Sequence, residues 1–119
     1  MSDVVTLYGI PNCDTIKKAR KWLSEHSIDY SFHDYRKQGI DLEQLQVMAS
    51  QLGWEAMLNR RGTTWRALSE TVKSQIEEAS ALQLMLDYPA IIKRPILQQD
   101  GRLHIGFSSQ QYQEVFDPA

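Results

Sequence analysis

Cysteine is almost missing from this chain of 119 residues, which holds one, Cys13. A single thiol closes no internal disulfide. The three histidines, His26, His33 and His104, stand at no zinc-type spacing from it or from each other, so no metal motif is legible. An excess of one charge is missing too: 13 Lys and Arg face 15 Asp and Glu, a net charge of -2. That balance argues against direct nucleic-acid binding through bulk charge. No apolar run approaches the roughly 20 residues of a membrane span. Met1-Ser2-Asp3 opens neither a basic n-region nor an apolar h-region, so no signal peptide is read. Repeats, low-complexity stretches and linkers are absent. The expectation is one domain, residues 1–119, in a reducing cytoplasm, with no bound cofactor or metal and no membrane contact.

What is present begins with Val4 to Tyr8, a short β-rich run that reads as a buried strand. Gly9 and Pro11 break it, and Asn12 or Cys13 caps the helix that follows, Ile16 to His26. Ile16, Ala19, Leu23 and Trp22 make its apolar stripe; Lys17, Lys18, Arg20 and Lys21 fill its other faces. Ile28 to His33 alternates as a half-buried second strand, which completes a right-handed β-α-β unit. Asp41, with Gln44 three residues on, predicts a capping box for a helix ending at Gly53. A short helix over Trp54 to Leu58 follows, then a basic loop, Asn59 to Thr64. Ser69 and Ser80 read as caps of helices Glu70 to Glu78 and Ala81 to Leu86. After Tyr88-Pro89, Ile96-Leu97 makes a strand, Asp100-Gly101 a tight hairpin turn and Leu103 to Ile105 its return. Ser108 caps a last helix carrying Tyr112, Val115 and Phe116.

The order β-α-β, helices, β-β-α is that of an α/β thioredoxin-like fold, a mixed sheet with a helical insertion at about 41–87 between its halves. It predicts that only the last strand is antiparallel. In this arrangement Cys13 opens a helix behind a Gly-x-Pro loop with a basic first turn. Free cysteines are ordinarily small buried hydrophobes. A helix start and nearby cations, however, favour thiolate over thiol, although Asp14 works slightly against them. Ile16 stands where a C-x-x-C motif would place its second cysteine, so a resolving thiol must come from outside the chain. Pro95, opening the third strand, is expected to be cis and to face Cys13. Arg94 before it is either a surface arginine or an anion clamp aimed at the thiol. Arg60 and Arg61, ordinarily solvated as a pair, sit in a loop that could overhang the site. Lys17 is one turn from Cys13. Trp54 and Trp65 read as core or rim, and none of the histidines stands as a base for the thiol.

Three stretches carry a family resemblance: Leu7-Tyr8-Gly9-Ile10-Pro11-Asn12-Cys13-Asp14-Thr15-Ile16-Lys17-Lys18-Ala19, the run Asn59 to Arg66, and Ile92-Lys93-Arg94-Pro95-Ile96. They resemble the ArsC family over essentially the whole chain, most of all its YffB-like branch. The resemblance implies a thioredoxin-like fold with a helical insertion. In the family's arsenate reductases the matching cysteine attacks arsenate, and glutathione and glutaredoxin complete the reduction. Arg94 matches the arginine before the cis-proline. The family's insertion arginine aligns roughly with Asn59, beside Arg60 and Arg61. Its hairpin arginine aligns near Ile105, with Arg102 out of register. The Spx-like members bind RNA polymerase and often sense redox state through C-x-x-C, which this chain lacks.

The resulting expectation is a monothiol oxidoreductase of the ArsC type, a glutathione-dependent thiol reductase with Cys13 as nucleophile. Asn12, Thr15, Lys17, Arg60, Arg61, Arg94 and Pro95 are expected to hold substrate or glutathione. The shifted arginines put arsenate reduction second, and polymerase binding without catalysis is the further alternative. Glutathione and glutaredoxin are the expected partners.

Overall fold

A computed structural model describes residues 5–116, which form two compact units. One is the described part of Met1–Gln38 with Arg94–Ala119; the other is Gly39–Lys93. The expected insertion at 41–87 falls inside the second.

The first unit is built on four strands: β1 (Val5–Gly9), β2 (Ser31–Asp34), β3 (Ile96–Gln99) and β4 (Arg102–Ile105), in the order β2-β1-β3-β4. Three helices belong to it: α1 (Asp14–Glu25), α2 (Tyr35–Gln38) and α8 (Ser109–Phe116). β1 alternates, with Val5, Leu7 and Gly9 buried and Thr6 and Tyr8 half-buried, as a strand with one face on a core must. Val5 and Leu7 meet Ala19, Trp22 and Leu23 of α1, Leu97 of β3 and Tyr112 of α8 in one core. Its aromatic part interlocks edge to face: Trp22 and Phe107 stand at 5.5 and 4.7 Å from the Tyr112 ring, each close to perpendicular. The result is the mixed α/β, thioredoxin-like sheet that the element order implies.

Strand direction corrects one expectation. β1 and β2 are parallel, but β3 is antiparallel to β1, with Tyr8 opposite Ile96 and Val5 opposite Gln99. β4 turns back again on β3. The reversed strand is therefore the third, and the last one runs the same way as β1. The cause is that the chain re-enters the sheet at Arg94-Pro95, beside the end where Gly9 leaves it. The expected turn at Asp100-Gly101 is present, with φ of 52° and 77°, the left-handed pair of a tight two-residue hairpin.

Other bounds shift by local chemistry. Gly9 is the last residue of β1, not its breaker, and Val4 lies outside the described residues. The first helix begins at Asp14, two residues early, with Cys13 as N-cap and His26 as C-cap. The second strand starts only at Ser31; Ile28 and Tyr30 pack on the core from the preceding turn. The unanticipated α2 begins where the Asp34 carboxylate accepts from the Arg36 N–H at 2.9 Å.

The second unit is helical: α3 (Leu42–Leu52), α4 (Trp54–Met57), α5 (Thr63–Arg66), α6 (Glu70–Ser74), α7 (Glu78–Asp87) and a 3-10 turn, Pro89–Ile91. The Asp41–Gln44 capping box of α3 forms as expected, at 2.8 and 3.0 Å. The Ser69 cap also forms, but its helix stops at Ser74, not Glu78. Glu77 leaves helical geometry to cap α7, and Ser80 is its capping-box partner at the third helical position. Ser80 is thus inside the helix that it was expected to open. Two backbone bonds tie the exit of α4 to the end of the unit: Asn59 N–H to Ile91 O at 2.8 Å and Lys93 N–H to Met57 O at 2.6 Å. Among the described residues no helix is long and apolar enough to cross a membrane.

Candidate active site

The first unit places a thiol at the crest of the sheet. The Cys13 backbone is extended (φ -112°, ψ 129°), and its carbonyl accepts the first helical bond from the Lys17 N–H at 3.0 Å. α1 can start so close to β1 because Gly9 has no side chain. A Cβ there would collide with Cδ1 of the fully buried Ile16, and would lie 3.7 Å from the Cβ of Arg94. Gly9 thus brings both α1 and Arg94 up against the end of β1.

Arg94 precedes Pro95 across a cis peptide bond, as expected, and its guanidinium hydrogen-bonds the Cys13 sulfur. The half-buried thiol makes no capping bond of regular geometry, yet the helix start faces it. Partial burial pushes its pKa up. The Ile16 N–H, the Arg94 hydrogen bond, the Thr15 N–H and the Arg94 charge outweigh that, so the net effect is a thiol more acidic than an ordinary cysteine. A helix N-terminus and a cation both favour the thiolate, and the thiolate is the form that attacks.

The structure therefore brings Cys13, Thr15, Arg94 and Pro95 together. Asn12 is exposed beside the thiol in sequence, and Lys17 is exposed one turn along α1. Arg60 and Arg61 belong to the second unit. There Arg60 lies over the half-buried Trp65, 5.3 Å from its ring centre. The Arg61 N–H donates to Asn59 Oδ1 at 3.2 Å, and the Arg66 guanidinium donates to the Arg61 carbonyl at 2.6 Å. Both arginines and Lys93 line a hollow of about 310 Å³ floored by Leu58. Trp65 is thus a support for Arg60.

The histidines stand elsewhere. His26 stacks on Trp22 at 3.8 Å, and His33 lies 5.0 Å from the Tyr8 ring. His104 sits beside the hairpin end of the sheet, its pKa lowered by burial and by Arg102. No group of three His, Cys, Asp or Glu able to hold a metal ion occurs among the described residues.

Sequence reasoning missed Tyr8 and Tyr35. Their rings stack at 6.3 Å, and the Tyr8 hydroxyl donates to Gln98 Oε1 at 2.9 Å. Tyr35 is 2% exposed. Nothing in its spacing marks it, because the pairing of β1 with β2 is what brings it beside Tyr8.

Comparison with known proteins places these residues in context. The model of the ArsC family matches residues 8–115. A protein of Haemophilus influenzae, itself uncharacterized, is 48% identical over 113 residues, 95% of this chain and 99% of its own. A solved structure from Brucella melitensis, an arsenate reductase (ArsC) related protein, is 53% identical with a TM-score of 0.79, over 96% of this chain and 95% of that one. The global transcriptional regulator Spx of Enterococcus faecalis is 26% identical, over 91% of this chain and 83% of its own.

Proposed function

The chain belongs to the ArsC family, and from that premise we propose that it is a monothiol reductase working through Cys13. The Cys13 thiolate attacks an electrophilic sulfur, forms a covalent bond to it and expels the partner sulfur as a thiolate, which takes its proton from solvent. An external thiol then attacks the adduct and regenerates Cys13 as thiolate. Glutathione is the external thiol in this reading, because the chain has no second cysteine and glutathione is the small thiol of a reducing cytoplasm. Arg94 holds the anionic part of the substrate, the N–H groups of Thr15 and Ile16 stabilise charge on sulfur, and Asn12 and Lys17 border the approach.

The observation that carries the proposal is the Arg94–Cys13 hydrogen bond across the cis-proline junction, with the acidified thiol that results. Packing alone would call for a buried, ordinary thiol, whereas Cys13 is partly open and charge-stabilised.

Incubation with glutathione disulfide is expected to add one glutathione to the wild type and none to Cys13→Ser. Loss of the adduct on adding reduced glutathione completes the cycle. A wild type that takes up no glutathione while remaining folded defeats the proposal.

Arsenate is the second reading, supported by the Brucella relative described as arsenate reductase related. It requires Arg60 or Arg61 to take the place of the shifted arginine. Arsenate-dependent NADPH oxidation, coupled through glutathione and glutaredoxin, tests it. The Spx relative supports a regulatory reading, in which RNA polymerase is retained equally by the wild type and Cys13→Ser.

A further inference from the structure

The second unit sorts its charges. No Lys, Arg or His occurs in residues 39–59 or 74–92, the stretches that hold α3 and α7. Their charged residues are all acids: Asp41, Glu43, Glu55, Glu77, Glu78 and Asp87. The unit's cations, Arg60, Arg61, Arg66, Lys73 and Lys93, lie in the segments outside them. α3 and α7 border a groove of about 460 Å³, lined by Leu42, Gln46 and Ser50 on one side and by Glu78 and Ala79 on the other, with the buried Leu82 as its floor. The exposed large apolar side chains among the described residues, Leu42, Val47, Val72 and Tyr88, all belong to this unit. Leu42, 44% exposed, lines the groove. Val47, 54% exposed, neighbours Glu43 and Ser50 on the surface of α3.

Helix formation accounts for part of this pattern. Glu43 and Glu78 stand in the first turns of their helices, where a negative charge favours the helix, and Glu77 caps α7. It does not account for the far ends. Neither helix has a cation in its last turn, and α7 closes on Asp87, whose charge adds to the negative end of the dipole. The Asp87 carboxylate accepts from the Gln83 amide at 3.1 Å, a neutral donor. An apolar strip therefore lies among negative charges that their own helices leave uncompensated.

We infer that the α3–α7 groove is a docking surface for a basic amphipathic helix of a partner protein. Charge complementarity sets the sign: Lys and Arg on the flanks of the incoming helix meet Glu43, Glu78 and Asp87. Its apolar face, at i and i+4 spacing, packs on Leu42, Ala79 and Leu82. A helix is the form that fits, because the hollow between two helices takes the side-chain ridges of a third. The stripe Leu42, Gln46, Ser50 runs about 12 Å at 1.5 Å per residue, or about two turns. A second copy of this chain suits the groove less well. Its basic helix, α1, keeps Ile16, Ala19, Trp22 and Leu23 buried in its own core and has no apolar stripe left to offer. The inference is independent of the role of Cys13.

The test adds the full chain to a fluorescein-labelled, helix-forming peptide of about 15 residues, Leu on one face and Lys on the other, and reads anisotropy. A twin peptide carries Glu in place of Lys. The Lys peptide is expected to bind at least about tenfold tighter than its twin at low salt, and to weaken several-fold as salt rises. Leu42→Ser combined with Val47→Ser is expected to weaken binding about tenfold. Glu43→Gln combined with Glu78→Gln is expected to weaken it at low salt and to flatten its salt dependence. These four side chains are exposed, so the thermal midpoint of each variant and its Cys13 alkylation are expected to stay close to wild type. A Lys peptide that does not bind overturns the inference. So does equal binding by the Glu twin, or binding that neither pair of substitutions changes. Wild-type dimers in sedimentation that Leu42→Ser with Val47→Ser dissolves overturn it as well, because the groove then belongs to a second copy. None of these outcomes touches the monothiol proposal, which stands or falls on the glutathione adduct.

Discussion

At the residue scale the site is a contest over the charge on one sulfur. Burial opposes the thiolate, and two backbone N–H groups and Arg94 favour it, with the second side winning. Arg94→Ala removes two of the favourable contributions, its hydrogen bond and its charge, and leaves the helix start. The pH midpoint of alkylation is therefore expected to move up toward the ordinary cysteine value of about 8.5. Alkylation at neutral pH should slow by several-fold, with the fold retained. A midpoint that does not move would remove Arg94 from control of the thiol. Cys13 was legible because a strand, a turn and a helix cap leave marks in sequence; the cis state of Pro95 followed only from the thioredoxin-like topology, since its local sequence reads as an ordinary trans residue. Tyr35 left none: its stacking on Tyr8 depends on a strand ladder, and nothing in the local spacing of residues 31–38 encodes which strand lies alongside.

At the element scale the joint between β1 and α1 is the critical contact. Ile16, fully buried, occupies the space that any side chain at residue 9 would need. Gly9→Ala is expected to cost about 1–3 kcal/mol in urea unfolding, as overpacking of a filled core does. It should also raise the thiol's alkylation midpoint, because α1 and its N–H groups are pushed off the sulfur. Trimming the obstruction with Ile16→Val in the same chain should recover part of both. An unchanged stability would mean that the joint is looser than its packing indicates. The helices of the second unit show how capping signals compete. Asp41 and Ser69 cap as read, but Ser80 yields the cap of α7 to Glu77. A Glu with a Ser three residues on forms the same reciprocal pair as a Ser with a Glu, so both registers were compatible with the residue types.

At the scale of the whole molecule, the acidified thiol couples its own ionisation to folding. A cysteine whose pKa is lower in the folded chain than in the unfolded one adds stability that is fully present above the unfolded value. That contribution is lost as the pH falls through the folded one. The difference in unfolding free energy between reduced wild type and Cys13→Ser is therefore expected to move in favour of the wild type between neutral pH and about pH 9. The gain levels off above the unfolded cysteine value, while the raised pKa values of Tyr35 and Tyr112 lower the stability of both proteins alike as the pH approaches 10. A difference that stays flat from neutral pH to pH 9 would mean that the thiol is not acidified by the fold. The sequence by itself determined the local elements and their chemistry: the β-α-β opening, the Asp100-Gly101 hairpin, the Asp41 cap, and a lone cysteine at a helix start. These follow from interactions spanning a few residues. Only the tertiary structure decided that β3, not β4, is the reversed strand, that α1 rides on a bare Gly9, and that the buried Tyr35 stacks on Tyr8. Each depends on which segments meet across the sheet, and that choice is made by packing and backbone pairing between residues far apart in the chain.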